Sequence, residues 1–245
     1  LMLAREAGFN AREMRELGEG ALLHDLGKEK VPSQILLKKT PWTPAERNFY
    51  QQHVAYGVEL AGKLPSLPPG ALEVIAMHHE ALDGSGFPAR LSGARIGRFA
   101  RVVAIANAFD NYCNRPNPAD SMIPSEALSQ MFKKERDRYD PGLMQHFIRC
   151  LGVYPPGSVV KLNNDVIGLV VSVNAAHLLH PTVMLYDPGI PKEEALLVNM
   201  AEEPDLSVVA TLRPASLPKE VFEYLSPRSR ISYFADADRP AAQRA

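Results

Sequence analysis

The chain has little cysteine. Among its 245 residues only Cys113 and Cys150 carry a thiol, they lie far apart, and they form no CxxC pair. This excludes a disulfide scaffold and points to a reducing, cytoplasmic setting in which each is a small packed residue rather than a metal ligand. Long apolar runs are absent too. None approaches the roughly 18 residues of a membrane span, so no membrane partner is expected. Charge of one sign is not in excess: the formal net charge is −1. That offers no general attraction to nucleic acid, although local charges can still hold a small anion. Internal repeats are missing. What is present is ordinary for a folded protein, 46 % hydrophobic and 22 % charged residues, at a length that suits one large domain or one domain plus a small one. The opening LMLAREAG already runs in a helix-like pattern, which leads us to expect that the natural chain starts further upstream.

Residues 1 to about 152 read as helical. In NAREMRELGEGALLHDLGK the apolar residues Met14, Leu17, Ala21, Leu22 and Leu26 keep close to a 3.6-residue spacing. Asn10 suits the cap of that helix and Gly27 its stop. TPAERNFYQQHVAYGVELAGKL begins with Thr43 as cap and Pro44 at the first helical position, and reads as one helix. Further helices are expected at 70–80, 95–113, 124–134 and 141–151, with many of the 21 prolines between segments. The character changes after LGVYPPGS. SVVKLNNDVIGLVVSV alternates on both sides of Asn163-Asn164-Asp165 and predicts a hairpin. PTVMLYD, EALLVNMAE and LSVVATLR add strand-like runs, so 153–234 is expected to be a small β-rich subdomain, and 235–245 a flexible tail of low apolar content.

The residues able to do chemistry are concentrated in the helical part. LLHDLGK places His24 and Asp25 near the end of an apolar helix, with Lys28 four residues beyond His24 and so on the same helix face. His53 stands in the next helix, and MHHE supplies His78 and His79 in another. A single histidine on a helix is usually a hydrogen-bonded core residue. Four in one bundle, one beside an aspartate and two adjacent, point instead to a metal site, because imidazoles with a carboxylate able to bridge suit Fe, Mn or Zn. Two such ions would polarise a phosphodiester and activate water, with Lys28 neutralising a phosphate oxygen. The remaining histidines, His146, His177 and His180, read as packing or loop residues. Glu80 and Asp83 suit either partners of the histidines or turn residues, and KKERDR at 133–138 reads as a solvated helix face.

HDLGK followed by HHEALDGSGFP closely resembles the HD-GYP family, a branch of the HD phosphohydrolases. The pieces of that family's signature stand in order: His24-Asp25 with Lys28, His53, His78-His79-Glu80, Asp83-Gly84, Gly86-Phe87-Pro88, VVAIANAFDN, and Arg115. The resemblance covers residues 1 to about 152. It implies a mainly α fold, an HD-type helical bundle followed here by the small C-terminal β-rich subdomain. It implies a centre of two or three divalent transition metals, often iron or manganese, and hydrolysis of cyclic di-GMP to pGpG, in some members on to GMP. The metal ligands it implies are His24, Asp25, His53, His78 and His79, with the two adjacent histidines facing different metals or a metal and its surroundings. Asp25 and Lys28 would carry the catalysis. Lys28, Arg115 and the loop of Gly86, Phe87 and Pro88 would bind substrate, the glycines letting backbone come close. The family also implies contact with GGDEF-type diguanylate cyclases and an upstream receiver or sensor domain, and a homodimer is compatible with it.

Three departures from the family pattern stand out. Asn107 takes the place of an aspartate that serves as a further metal ligand in the family; its amide oxygen can coordinate but is neutral, and Asp110, one turn on, is the acid left to compensate. Arg115 is not followed by a second nearby base. Many members carry a further ligand on a helix upstream of the HD pair; no histidine precedes His24 here, and that helix is either absent or lies before residue 1. The first two departures keep a second reading open, a degenerate member that binds cyclic di-GMP or a signalling partner with little hydrolysis. A third, hydrolysis of another phosphoester, is disfavoured by the DGSGFP loop. Phe87 in place of the family's tyrosine keeps the aromatic face and loses the hydroxyl.

Overall fold

The structure is a computed structural model, and it describes residues 1–115, 117 and 120–226. The expected tail, 235–245, and the last residues of the expected β-rich subdomain lie outside the described residues. Among the described residues nine α-helices occupy the first part: α1 Met2–Glu6, α2 Ala11–Leu23, α3 Ser33–Leu36, α4 Pro44–Gln51, α5 His53–Ala61, α6 Pro69–Met77, α7 Arg98–Cys113, α8 Pro124–Ser129 and α9 Pro141–Leu151. Local chemistry starts α2 and α4 where the sequence predicts. Asn10 and Thr43 each form a capping box, with Glu13 and Glu46 respectively, so orphan N–H groups at both helix starts are satisfied.

The ends differ from expectation, and the differences build the site. The helix holding Leu17 stops at Leu23, and Leu26–Lys30 winds into a tighter 3-10 turn. Gly27 is therefore no helix stop. It lies in that turn against α5, where a Cβ would fall 1.9 Å from the His53 carbonyl oxygen and 2.4 Å from the Gly57 nitrogen. Lys28 does not stack on His24 along a helix face; it turns back to Asp25. The single helix expected from Thr43 is two helices that meet at Gln52, the second with His53 at its head. The helix expected at 70–80 ends at Met77, so His78 and His79 sit in the turn beyond it.

The helical core joins α2, α6, α7 and α9 through Leu17, Val74, Ile105, Phe109, Met144 and Phe147. Each such apolar side chain contributes about 1.5–3 kcal/mol by leaving water. Glu73 on α6 accepts the Phe99 and Ala100 N–H groups at 2.9 and 3.2 Å and so anchors the start of α7. That fixes Asn107, further along α7, relative to the histidines beyond α6.

The second part is a five-stranded antiparallel sheet in the order β4-β3-β2-β1-β5, made of β1 Val159–Leu162, β2 Ile167–Ser172, β3 Thr182–Leu185, β4 Leu197–Asn199 and β5 Val208–Leu212. The predicted hairpin is present: Val159 pairs with Leu169 and Lys161 with Ile167, and Asp165 takes a φ of +66° in the turn. Alternation gives the sheet two apolar faces. Val160, Leu162, Val170, Val183 and Met200 fill one. Val159 on the other meets Val221 and Leu225 of α10, Lys219–Leu225, a helix absent from the sequence reading. Arg213 ties the sheet to the helices by donating to the Ser121 carbonyl and to Glu126. Among the described residues no helix is long and apolar enough to cross a membrane.

Because Gly27 packs backbone on backbone, Gly27→Ala is expected to separate the 3-10 turn from α5. Urea denaturation is expected to show a loss of about 3 kcal/mol, the upper end of overpacking costs, and a wild-type midpoint would refute the packing argument.

Candidate metal centre

Asp25, His53, His78 and His79 each offer one donor atom, and these atoms all lie within 4.8 Å of one another. Three elements bring them together: the turn after α2 carries Asp25, the first residue of α5 is His53, and the turn after α6 carries the adjacent pair. His53 and His78 are fully buried, at 0 % and 1 % exposure.

The protonation of the rings follows from their outer contacts. His53 Nδ1 lies 2.6 Å from the Tyr50 carbonyl, and His78 Nδ1 lies 3.1 Å from the carbonyls of Val74 and Ile75. A carbonyl only accepts, so both Nδ1 atoms carry hydrogen and donate. In the neutral rings each Nε2 then presents a lone pair. These two Nε2 atoms face each other at 3.4 Å, and Asp25 Oδ1 stands 3.6 Å from His53 Nε2 and 3.8 Å from His78 Nε2. Asp25 Oδ1 and His79 Nε2 are buried and have no hydrogen-bond partner. Converging lone pairs of this kind, unpartnered and shielded from water, are costly without a cation among them. The residues present therefore fit a metal ion. With bonds of about 2.1 Å, donors around one ion lie roughly 3–4.2 Å apart, close to the spacing seen.

Electrostatics agree with the geometry. Burial is the largest influence on His78 and holds its imidazole down to about 3. Burial likewise holds His53 down and His79 well down, so these rings stay neutral, as ligands must. Burial pushes the Asp25 carboxyl up, but the His24 and Lys28 contacts outweigh it and hold the group well below the usual carboxylate range. His24 moves the other way. Burial lowers it, yet the hydrogen bond and charge of Asp25, with the Ala21 carbonyl at its Nδ1, leave it raised.

The other expected site residues take distinct places. His24 lies outside the four-donor group, its Nε2 3.3 Å from Asp25 Oδ2. Lys28 binds the same Oδ2, with Tyr50 flanking it 5.5 Å from its ammonium. Asn107 lines a cavity together with His78, His79 and Arg115. Its Oδ1 accepts the Asn111 amide at 3.0 Å. Asp110 does not compensate for it, being exposed and bonded to Asn114. Phe87 stacks on His79 with ring centroids 4.4 Å apart. Gly86 approaches protein backbone rather than open space, since a Cβ there would lie 2.4 Å from the Ala81 nitrogen. Pro88 follows in the same loop, which Glu80 fastens by accepting the Ala89 and Leu91 N–H groups. Glu80 is thus a loop anchor, and Asp83 a turn residue that accepts the Ser85 N–H.

Two contributors escaped the sequence reading. Tyr50 supplies the carbonyl that orients His53 and packs its ring 4.8 Å from that imidazole; its position three residues before His53 was the available signal. Arg138 lines the cavity, although its neighbours Arg136 and Asp137 are exposed, so 133–138 is not one solvated face.

As pH falls through about 6.5 the unfolded chain protonates His53, His78 and His79 while the folded chain resists, and His24, raised, offsets only part of this. The metal-free protein is expected to lose stability on acidification from about pH 6 to 5 by more than about 1.4 kcal/mol per pH unit. Urea denaturation in chelator at a series of pH values measures this, and a flat profile would contradict it.

Comparison with known proteins matches the same region. The HD domain family model matches residues 1–143. Cyclic di-GMP phosphodiesterase PA4108 of Pseudomonas aeruginosa is 28 % identical over 186 residues, 76 % of this chain and 45 % of that protein. That stretch is longer than the helical part and so extends into the β-rich part. The 3'3'-cGAMP-specific phosphodiesterase 2 of Vibrio cholerae is 32 % identical over 144 residues, 58 % of this chain and 28 % of that protein. The chain thus spans less than half the length of either relative. Among solved structures, the HD-GYP-type protein Bd1817 from Bdellovibrio bacteriovorus shares the fold, with a TM-score of 0.50 and 22 % identity over 59 % of this chain and 46 % of that one. With the HD pair, the separated histidine, the HHE turn and the glycine loop gathered around one donor cluster, the chain belongs to the HD domain family, in its HD-GYP branch.

Proposed function

We propose that this chain is a metal-dependent phosphodiesterase that hydrolyses cyclic di-GMP to pGpG, with residues 1–152 as the catalytic unit and the β-rich part from 153 as an appended subdomain. The observation that carries the reading is the convergence of the His53 and His78 lone pairs on Asp25 Oδ1, with Asp25 Oδ1 and His79 Nε2 left unpartnered in a buried site. The name of the Pseudomonas relative supports the substrate.

Two ions, iron or manganese, suit the donor set. Asp25, which turns Oδ1 toward His53 and His78 and Oδ2 toward His24 and Lys28, would hold them together with His53, His78 and His79, with His24 beside the Oδ2 oxygen and Asn107 the neutral oxygen donor available from α7. Such ions supply Lewis-acid polarisation of the phosphodiester and activation of water. The chain's own residues do the rest. The carbonyls behind His53 and His78 hold their rings in the tautomer that leaves Nε2 free, whereas His24 Nε2 is engaged by Asp25 Oδ2. Burial lowers the Lys28 ammonium, but Tyr50 and Asp25 outweigh it and keep the group raised, so it serves as a fixed cation for phosphate charge and not as a base. Arg115 and the Gly86-Phe87-Pro88 loop border the substrate. In the reaction water adds to phosphorus, the bond to the ribose 3' oxygen breaks, and that oxygen leaves with a proton. A cytoplasmic location, a GGDEF-type cyclase partner, an upstream receiver or sensor domain and a homodimer are carried with this reading from the family resemblance.

The test is turnover of cyclic di-GMP by protein loaded anaerobically with manganese or iron, with products separated by chromatography and 3'3'-cGAMP run in parallel. pGpG is the expected product, and chelation is expected to abolish it. Faster turnover of 3'3'-cGAMP would reassign the substrate, and binding without any product would identify a retired site. Asp25→Asn is expected to lower kcat by at least about 100-fold. Asn107→Asp, which restores a charged donor, is expected to tighten metal binding about tenfold by competition with a chromogenic chelator; unchanged affinity would remove Asn107 from the ligand set.

A further inference from the structure

Arg115 stands without a second base near it in sequence, but not in space. The cavity that begins at His78 and His79 and passes Asn107 is lined by both Arg115, after α7, and Arg138, in the segment before α9. Glu135 makes this possible. Its carboxylate accepts from the Tyr112 hydroxyl on α7, from Gln130 at 3.0 Å, from the Tyr139 hydroxyl at 3.1 Å and from Arg138 Nη1 at 3.1 Å. Glu135 thereby ties segment 130–139 to Tyr112 near the end of α7, and Arg138 is held by one nitrogen of its fork.

The rest of the fork is not used up. Arg138 Nε is buried and has no hydrogen-bond partner. A guanidinium serving only as a strut for Glu135 would pair that donor or expose it, because burying it unsatisfied costs free energy. The Arg115 guanidinium lies 5.3 Å from the Tyr112 ring and that of Arg138 5.9 Å from the Tyr139 ring, so each is braced by an aromatic face. Two braced planar forks on the wall of a cavity that ends in metal-ligating histidines are suited to phosphate, which a guanidinium grips with two parallel bonds.

We propose that Arg138 is a second phosphate-binding residue, paired with Arg115 to hold the phosphate of the cyclic dinucleotide that is not being cleaved. The proposal rests on the function given above and replaces the base that the sequence does not supply near Arg115. It also assigns Glu135 as a positioning residue that presents Arg138.

The test compares manganese-loaded wild type with Arg138→Gln and Arg138→Lys. Glutamine can still donate to Glu135 but carries no charge; lysine keeps the charge and loses the fork. KM and Kd for cyclic di-GMP are expected to rise at least about tenfold in Arg138→Gln, with kcat within about threefold, and about threefold or more in Arg138→Lys. Wild-type KM and Kd in Arg138→Gln, at an unchanged melting temperature, would overturn the proposal. Should Arg138→Gln fail to fold, Arg138→Lys decides, and wild-type Kd there overturns it. Should the wild type itself neither bind nor hydrolyse cyclic di-GMP, the proposed function falls, and titration with inorganic pyrophosphate decides Arg138 alone. Weaker binding by the variants supports it, whereas equal binding, or none by the wild type, overturns it.

Discussion

The Nε2 atoms of His53 and His78 face each other at 3.4 Å beside an Asp25 carboxylate that is held ionised. Three electron-rich atoms crowd one buried point, and each ring is locked into that role by a backbone carbonyl behind it. Much of the helical half can be read as the means of sustaining this crowding. α2, α5 and α6 each end or begin at the point of convergence, and the two carbonyls behind His78 belong to the last turns of α6 itself. The stability cost of the arrangement is borne by a core elsewhere, where Leu17, Ile105 and Phe147 pack without polar atoms to satisfy.

The supporting shell works by leaving no slack. Gly27 lets the Asp25 turn touch the α5 backbone, and Gly86 lets the following loop rest on the backbone of residues 79 to 81. Glu80, buried, clamps that loop through two N–H groups. Phe87 then lies flat on His79 and limits how its ring can turn. The DGSGF stretch is thus first a brace for a ligand. The sheet meets the helices through Arg213 at Ser121 and Glu126. Ser121 Oγ in turn accepts the Arg115 N–H at 3.0 Å, which links the β-rich part to the segment that carries Arg115.

Much of this was legible in the residues. Asn10 and Thr43 announced their helices because a cap is a local bargain between one side chain and two N–H groups. The hairpin around Asn163-Asn164-Asp165 was legible for the same reason. The histidines and Asp25 were legible as a set because their spacing matches the family signature. Helix ends were less so. The stops at Leu23, Gln51 and Met77 are set by what packs against them, and α10 was hidden in a segment whose two buried residues, Val221 and Leu225, make sense only against the sheet.

The sequence by itself determined the ligand types, the helical half and the sheet that follows, since capping, periodicity and alternation act over a few residues. Only the tertiary structure decided that Asp25 turns its two oxygens to different partners, that Asp110 faces away from Asn107's cavity, and that Arg138 joins Arg115 across a separation of more than twenty residues. Those outcomes depend on which backbone segments can touch, and contact between distant segments follows from close packing of the whole fold rather than from any local pattern.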